Sequence, residues 1–398
     1  MDIKDLKIDY YNSHPIQYFS PMLRLLSKKS DLHVYYFSGG ENKVFFDKGF
    51  NQKIQWDVPL TEGYQHTFLK NYVNRSVRDN NFWDVFNPGV FKVIRKSPSK
   101  VVLVNGWSYS SFWMVMIAAK LFGKKVWLRA ENPLNQELNK SRKVKLVKNF
   151  LFKNLLFKFF VNKCLYIGNQ SHDFFTHYGV SDDRLVFTPY AVDNIFFNAE
   201  YEKYKDEKES LRQALNIPLQ STTILFCGKY IEKKRPLDLL KAFHALGNKS
   251  AFLVMLGEGE LRPQMESYIK ENNLHNILLT GFVNQTEISK YYSAADIFVM
   301  CSGMGETWGL SVNEAMNFAL PVVVSETCGS SYDLVEQGVN GYSFPEGDIE
   351  QLTFCIQQLL QDHQLRISAG KKSKEIISNY SIEKTVDNII AALEQEGS

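Results

Sequence analysis

Short apolar runs alternate with amphipathic segments along the whole 398-residue chain, in two successive series. Runs of three to six apolar residues are short for helices and fit strands covered on both faces. Parallel neighbours need a helical crossover, so strand–helix alternation builds parallel sheets. In the first series the expected strands are Leu6–Tyr10, Leu32–Phe37, Val101–Asn105, Val126–Leu128, Leu165–Gly168 and Leu185–Thr188, with helices such as Pro15–Ser27 and Ser110–Leu121 between them. In the second they are Thr223–Cys227, Phe252–Leu256, Ile277–Leu279, Ile297–Met300 and Val322–Ser325. Helices there fit Pro236–Leu246, Leu261–Asn272, Gln285–Ala294, Leu310–Asn317, Ile349–Gln361 and Gln364–Asn379. Asn340-Gly341 reads as a tight turn. The expected fold class is α/β, with two Rossmann-like, doubly wound parallel-sheet domains.

The length suits two such domains. The boundary is expected between Pro189 and Pro218, ahead of a dense mixed-charge run over 200–209 that reads as a solvated helix or linker. In open α/β sheets ligands bind outside the carboxyl ends of the strands, so two domains facing each other across a cleft would present those loops to one ligand.

Composition narrows the partners. A net charge of +3 is too mild to argue for nucleic acid. The five cysteines are scattered, odd in number and without C-x-x-C spacing, so neither a disulfide framework nor a zinc site is expected, and a reducing cytoplasm fits best. The opening MDIKDLKIDYY has no apolar h-region, so no signal peptide is expected. The chain reads as soluble or at most peripheral to a membrane. One stretch bears on that: residues 140–163 carry eight Lys or Arg, no acid, and five phenylalanines. Such a mixture can dock on an anionic membrane. Read at ordinary helical spacing, however, its apolar residues do not gather on one face, which favours a partly buried helix with snorkelling lysines.

Three segments carry the chemistry. In GMGETWGLSVNEAMNFALPVVVS, residues 303–325, a strand ends in a glycine-bearing loop and a helix starts near Gly309. The free amides of Gly309, Leu310 and Ser311 and the positive helix end suit a phosphate. On a continuous helix Glu306 and Glu314 would stand about 80° and roughly 12 Å apart. Glu306 is instead expected in the loop, orienting sugar hydroxyls, and Glu314 on the helix, accepting a ribose diol. The plain alternative is an ordinary helix with two exposed glutamates. The second segment is GKYIEKKRPLDLLKAF, residues 228–243. Gly228 would let the chain turn after its strand, and Lys229, Lys233, Lys234 and Arg235 would meet a diphosphate; the alternative is a solvated basic loop. The third, GFVNQTEISKYYSAADIFVM at 281–300, offers backbone near Phe282-Val283 to a base, or merely packs the core.

In order and spacing these segments resemble the family 4 glycosyltransferases of the GT-B fold, from about Ile224 to Asp348. The resemblance implies that Lys234 binds the donor diphosphate and that Lys229 stands where the family usually has an arginine, keeping the charge without the planar fork. It implies Glu306 near the donor sugar, Glu314 on the ribose, the 309–311 amides on phosphate and sugar, and Phe282 and Val283 against the base. It further implies a domain over 1–190 on the acceptor side, a donor domain over 191–381, and a last helix, about 382–398, returning to the first. The first half matches less well. After its first strand the family's glycine-rich loop is replaced by Asn12-Ser13-His14-Pro15-Ile16-Gln17, making His14 a candidate for donor phosphate or acceptor, or else a cap on the helix beside Pro15. Where many members place a histidine stands Leu128-Arg129-Ala130-Glu131-Asn132, so Arg129 and Glu131 are acceptor-side candidates, as a salt-bridged pair.

The activity so implied is transfer of a sugar from a UDP- or GDP-linked donor to a glycan, lipid-linked or small-molecule acceptor, with retention of configuration. No cofactor and no metal is expected, since D-x-D is absent from the sequence. Catalysis would rest on Glu306, Lys234 and His14. The competing readings are a sugar-nucleotide 2-epimerase of the same architecture and a non-catalytic partner subunit that binds a nucleotide sugar.

Overall fold

The computed structural model describes residues 6–39, 45–47, 49–55, 57–73 and 81–397. Residues 1–5 of the amino-terminal segment lie outside the described residues. The chain divides into two compact units. One comprises Met1–Lys43, Pro59–Tyr190 and Ile382–Ser398; the other comprises Val44–Val58 and Ala191–Ser381.

The strands, in chain order, are β1 Lys7–Asn12, β2 Asp31–Tyr36, β3 Phe45–Asp47, β4 Gln52–Ile54, β5 Gln65–Phe68, β6 Val101–Asn105, β7 Lys125–Arg129, β8 Lys163–Tyr166 and β9 Leu185–Phe187. They continue with β10 Thr222–Cys227, β11 Ala251–Leu256, β12 Ile277–Gly281, β13 Ile297–Met300, β14 Val322–Ser325 and β15 Gly341–Phe344. The first unit holds a seven-stranded sheet in the order β5-β2-β1-β6-β7-β8-β9, parallel throughout. The second holds a six-stranded parallel sheet in the order β12-β11-β10-β13-β14-β15. Both sheets grow outward from their first strand in one direction and then the other. The order reverses between β1 and β6 and between β10 and β13, the position outside whose carboxyl strand ends open α/β sheets bind their ligands.

The sheets form because their central strands are apolar on both faces. β11, β13 and β14 are buried along their whole length, and helices such as Pro236–Leu246 lay Leu239, Leu240 and Phe243 against the second sheet. In the first unit the Ile382–Gly397 helix is tied by Thr385, whose hydroxyl donates to the Pro189 carbonyl at 2.7 Å, and by a Lys29–Asp387 ion pair at 2.5 Å.

Four expectations need correction. The first helix begins at Ser20 rather than Pro15, after a turn in which the Ile16 carbonyl accepts from the Phe19 and Ser20 amides. His14 therefore caps no helix. The tight turn expected at Asn340-Gly341 lies over 338–340, one position earlier, and Gly341 already opens β15 in parallel with β14. A Cβ on Gly341 would stand 1.8 Å from the Val322 carbonyl oxygen, so the strands approach too closely for any other residue. Residues 44–58 join the second unit, although they were read with the first half. Finally, the basic stretch is an α-helix, Arg142–Asn149, running into a π-helix, Phe150–Phe160. Together they bury Phe152, Leu156, Phe157 and Phe160, and leave Val147, Leu151, Leu155 and Phe159, four residues apart, exposed. These four form an exposed apolar stripe at the i, i+4 spacing of one helix face, against the expectation that no face gathers the apolar residues.

Candidate active site

The order reversal of the second sheet brings two loops together. One follows β10 and carries Lys229, Lys233 and Lys234; the other follows β13 and carries Gly303–Trp308. They are laced by backbone, the Gly303 amide donating to the Lys233 carbonyl at 2.8 Å. Arg235 closes the first loop in the left-handed region, φ 49°, and pairs with Asp238 at 2.5 Å and Glu346 at 3.3 Å.

Glu306 and Lys234 meet at this junction as an ion pair. The pair is nearly enclosed, with side-chain exposures of 11% and 16%, and Lys233 adds a second ammonium 3.8 Å from Glu306. Burial by itself would neutralise both groups. Each is instead held charged by the other, Glu306 below the ordinary carboxyl range and Lys234 above the ordinary lysine value. The solvated-loop alternative for Lys234 and the exposed-glutamate alternative for Glu306 both fail on this burial.

Glu314 lies on the Leu310–Asn317 helix and is 4% exposed. The Tyr292 hydroxyl donates to its Oε2 at 2.7 Å, and Tyr292 is itself buried on the neighbouring Gln285–Ala294 helix. Sequence reasoning missed Tyr292; one of two adjacent tyrosines on an amphipathic helix gives no sign of its partner. The helix start is set by Gly309, φ 94°, where a Cβ would stand 2.4 Å from Met300 Sδ. Trp308, buried beside it, donates from Nε1 to Asn313 at 2.8 Å and pins the loop to the helix that follows. The amides of Gly309, Leu310 and Ser311 thus stand at a helix start beside the Lys234–Glu306 pair's loop.

The turn after β10 does not call on glycine's freedom at Gly228, which is not among the positive-φ glycines. A Cβ there would make only ordinary contacts. The close approach lies opposite, at Gly257, whose Cβ would stand 1.9 Å from the Gly228 oxygen. Lys229 is also engaged differently, donating to Asp47 Oδ1 at 2.8 Å. Phe282 and Val283 follow β12 and are half-buried, and the Phe282 ring meets Phe50 edge-on at 4.9 Å.

In the first unit His14 stands in the loop after β1, at that sheet's own order reversal, with Nδ1 3.0 Å from Ser13 Oγ. Beside it, Asn105 donates to Asn12 at 3.2 Å. Arg129 and Glu131 do form a salt bridge, at 2.9 Å. Arg129 is buried, its guanidinium carbon 4.8 Å from the ring centroids of both Phe19 and Tyr190. A planar, always-charged group between two rings is a rigid fixture rather than a mobile base. Among the described residues no group of His, Cys, Asp or Glu could hold a metal ion.

Comparison with solved structures decides the fold. A glycosyltransferase from Rickettsia africae superposes with a TM-score of 0.75 at 14% identity, covering 98% of each chain. Anabaena HepE, solved in complex with UDP and glucose, superposes at 0.71 with 16% identity, covering 98% of this chain and 99% of that one. The fold is that of the GT-B glycosyltransferases. Residues 207–376 also match the family profile described as Glycosyl transferases group 1. The amylovoran biosynthesis glycosyltransferase AmsK of Erwinia amylovora is 35% identical over 159 residues, 38% of each protein. The poly(glycerol-phosphate) alpha-glucosyltransferase of Bacillus subtilis is 23% identical over 94% of this chain and 59% of its own length. The chain spans about half the length of the curated relatives it matches, from 36% of one to 59% of another.

Proposed function

We propose that the protein is a glycosyltransferase that moves a sugar from a nucleoside-diphosphate donor, held by the second unit, to a glycan, lipid-linked or small-molecule acceptor with retention of configuration. The observation that carries this reading is the enclosed Lys234–Glu306 pair at the order reversal of the second sheet, next to the Leu310–Asn317 helix start. A leaving diphosphate gains charge, and a buried ammonium together with oriented amides stabilises that charge without reorganisation. Lys234 is assigned to the phosphates, Glu306 to the donor sugar by charge and position, and Glu314, oriented by Tyr292, to the ribose diol. Phe282 and Val283 lie on the base side, with His14, Arg129 and Glu131 on the acceptor side. Support for a nucleotide sugar comes from HepE, solved with UDP and glucose, and from the family profile over 207–376. The donor charge is met by lysines and amides, so the transfer is proposed to need no metal and no cofactor. The experiment that tests this reading is transfer itself, followed to the anomer of the product under excess chelator.

The acceptor side is proposed to work against an anionic membrane, at the inner face of a cytoplasmic bilayer. The support is the exposed face of residues 142–160, where Leu146 and Phe150, 64% and 67% exposed, adjoin the 147–151–155–159 stripe. Lys143, Lys153 and Lys158 are exposed on the same stretch, and no acid interrupts it. Two such like-charged faces would repel one another, whereas an anionic bilayer matches both the charge and the apolar stripe. Lys148 is engaged inward instead, where with Lys140 it neutralises Glu137, which is 2% exposed.

A further inference from the structure

The hairpin β3–β4 precedes the second unit by more than a hundred residues, yet belongs to it. Its turn is organised by Asp47, whose Oδ1 accepts from the Gly49 and Phe50 amides at 2.9 and 3.1 Å. The same oxygen accepts from Lys229 Nζ at 2.8 Å. The Lys229 stem crosses Gly49 so closely that a Cβ there would stand 2.6 Å from Lys229 Cδ. Its ammonium lies 4.7 Å from the Phe50 ring centroid, and that ring meets Phe282 edge-on at 4.9 Å and 75°. Beyond the hairpin, the Gln55 carbonyl accepts from Asn284 at 3.0 Å and Asp57 accepts from the Thr286 amide at 3.2 Å. The segment therefore crosses from the loop after β10 to the loop after β12, touching Lys229, a lysine that the sequence places with Lys234 at the donor diphosphate, and Phe282, which is assigned to the base.

We propose that this hairpin is a strap across the donor site, in which the Asp47 carboxylate occupies the phosphate seat on Lys229 until the donor diphosphate displaces it, while Phe50 keeps its place against Phe282. The inference rests on the donor-site reading above and adds to it a competitor carried by the chain itself. A carboxylate and a phosphate oxygen are both acceptors for one ammonium, and two like charges at that distance repel. Burial works against the Asp47 charge, but Lys229 and the two turn amides hold the carboxyl below its usual range. The strap is thus charged at neutral pH and electrostatically opposed to the ligand it covers. Asp47 is a positioning residue: it acts on the donor through Lys229.

The test is titration of UDP, GDP and their nucleosides, uridine and guanosine, into the parent and into Asp47→Asn, which keeps an oxygen for the turn amides. The variant should bind whichever diphosphate the parent accepts about tenfold more tightly, the size expected when one opposing charge near the protein surface is removed. Affinity for the matching nucleoside should not change. Asp47→Glu should return towards the parent value, and in a Lys229→Gln background, where no seat is left to compete for, the gain from Asp47→Asn should shrink to the part due to charge repulsion alone. Equal or weaker diphosphate binding by Asp47→Asn, with binding by the parent intact, would overturn the strap alone. A parent that binds neither diphosphate would overturn the donor-site reading and the strap with it.

Discussion

Replacing Lys234 with alanine leaves the Glu306 carboxylate in a pocket where its side chain is 11% exposed. Breaking a buried pair from one side costs about 3–5 kcal/mol, because the remaining charge is neither solvated nor matched. Lys233, 3.8 Å away and 38% exposed, supplies part of the missing charge, which puts the expected loss near the lower end, about 3 kcal/mol. For a unit of this size that is a fall in Tm of about 6–12 °C. The loss must depend on pH with a definite sign. In the parent, Glu306 is depressed by Lys234 and Lys233 against the opposing effect of burial. Its contribution is therefore present above the unfolded carboxyl pKa, near 4.3, and is lost as pH falls through the lower folded value. Without Lys234, burial dominates and the carboxyl rises. The gap between parent and variant should thus be widest near pH 7 and close as pH falls towards 4. Urea unfolding at pH 7, 5.5 and 4 reads it directly, and Glu306→Gln added to Lys234→Ala should recover part of the loss. A gap below about 1 kcal/mol at pH 7, typical of an exposed pair, or one that does not change with pH, would refute the argument that burial makes this pair matter.

Two further outcomes follow from the same geometry. Tyr292→Phe removes the hydroxyl that donates to Glu314 at 2.7 Å; a hydrogen bond to a charged group is worth about 1.5–3 kcal/mol, so affinity for the nucleotide should drop about tenfold with the fold intact, and unchanged affinity by calorimetry would sink the orienting role. Binding to anionic vesicles should fall steeply with salt and be lost on changing Lys143, Lys153 and Lys158 together to Gln; absent or salt-insensitive binding by the parent would remove the membrane proposal.

The second sheet was legible because its strands are dense apolar runs between helices with clear ends. Ile297–Met300, Val322–Ser325 and the Pro236–Leu246 helix fall where the sequence puts them. Strands without such a run were not legible. β5, Gln-His-Thr-Phe, lies at the sheet edge and buries only alternate residues in part, and β15 opens on a glycine that packing rather than propensity demands. In the basic stretch the buried Phe152, Leu156, Phe157 and Phe160 and the exposed Val147, Leu151, Leu155 and Phe159 are apolar alike, so the sequence shows no single apolar face although two exist. At the site, Lys234 and Glu306 could be named from residue type and order, but not that they are paired. The Asp47–Lys229 contact joins residues 182 positions apart through a short hairpin that the sequence reading leaves unassigned. Nothing local encodes it. Gly228 shows the converse error, in which a glycine after a strand was credited with freedom that Gly257 opposite requires.

Transfer measured on the purified chain bears most directly on the central claim that the second unit holds a nucleotide sugar and the protein moves its sugar. A panel of UDP- and GDP-sugars is screened first for stabilisation, where a ligand at about 100 times its Kd adds about 2.7 kcal/mol. The matched donor is then incubated with candidate glycan and lipid-linked acceptors under excess chelator, and the isolated glycoside is read by NMR. The expected product is a glycoside of the donor's own anomeric configuration, formed at an undiminished rate without metal and abolished in Lys234→Ala. An inverted product, or activity lost to chelator and restored by magnesium or manganese, would contradict this reading.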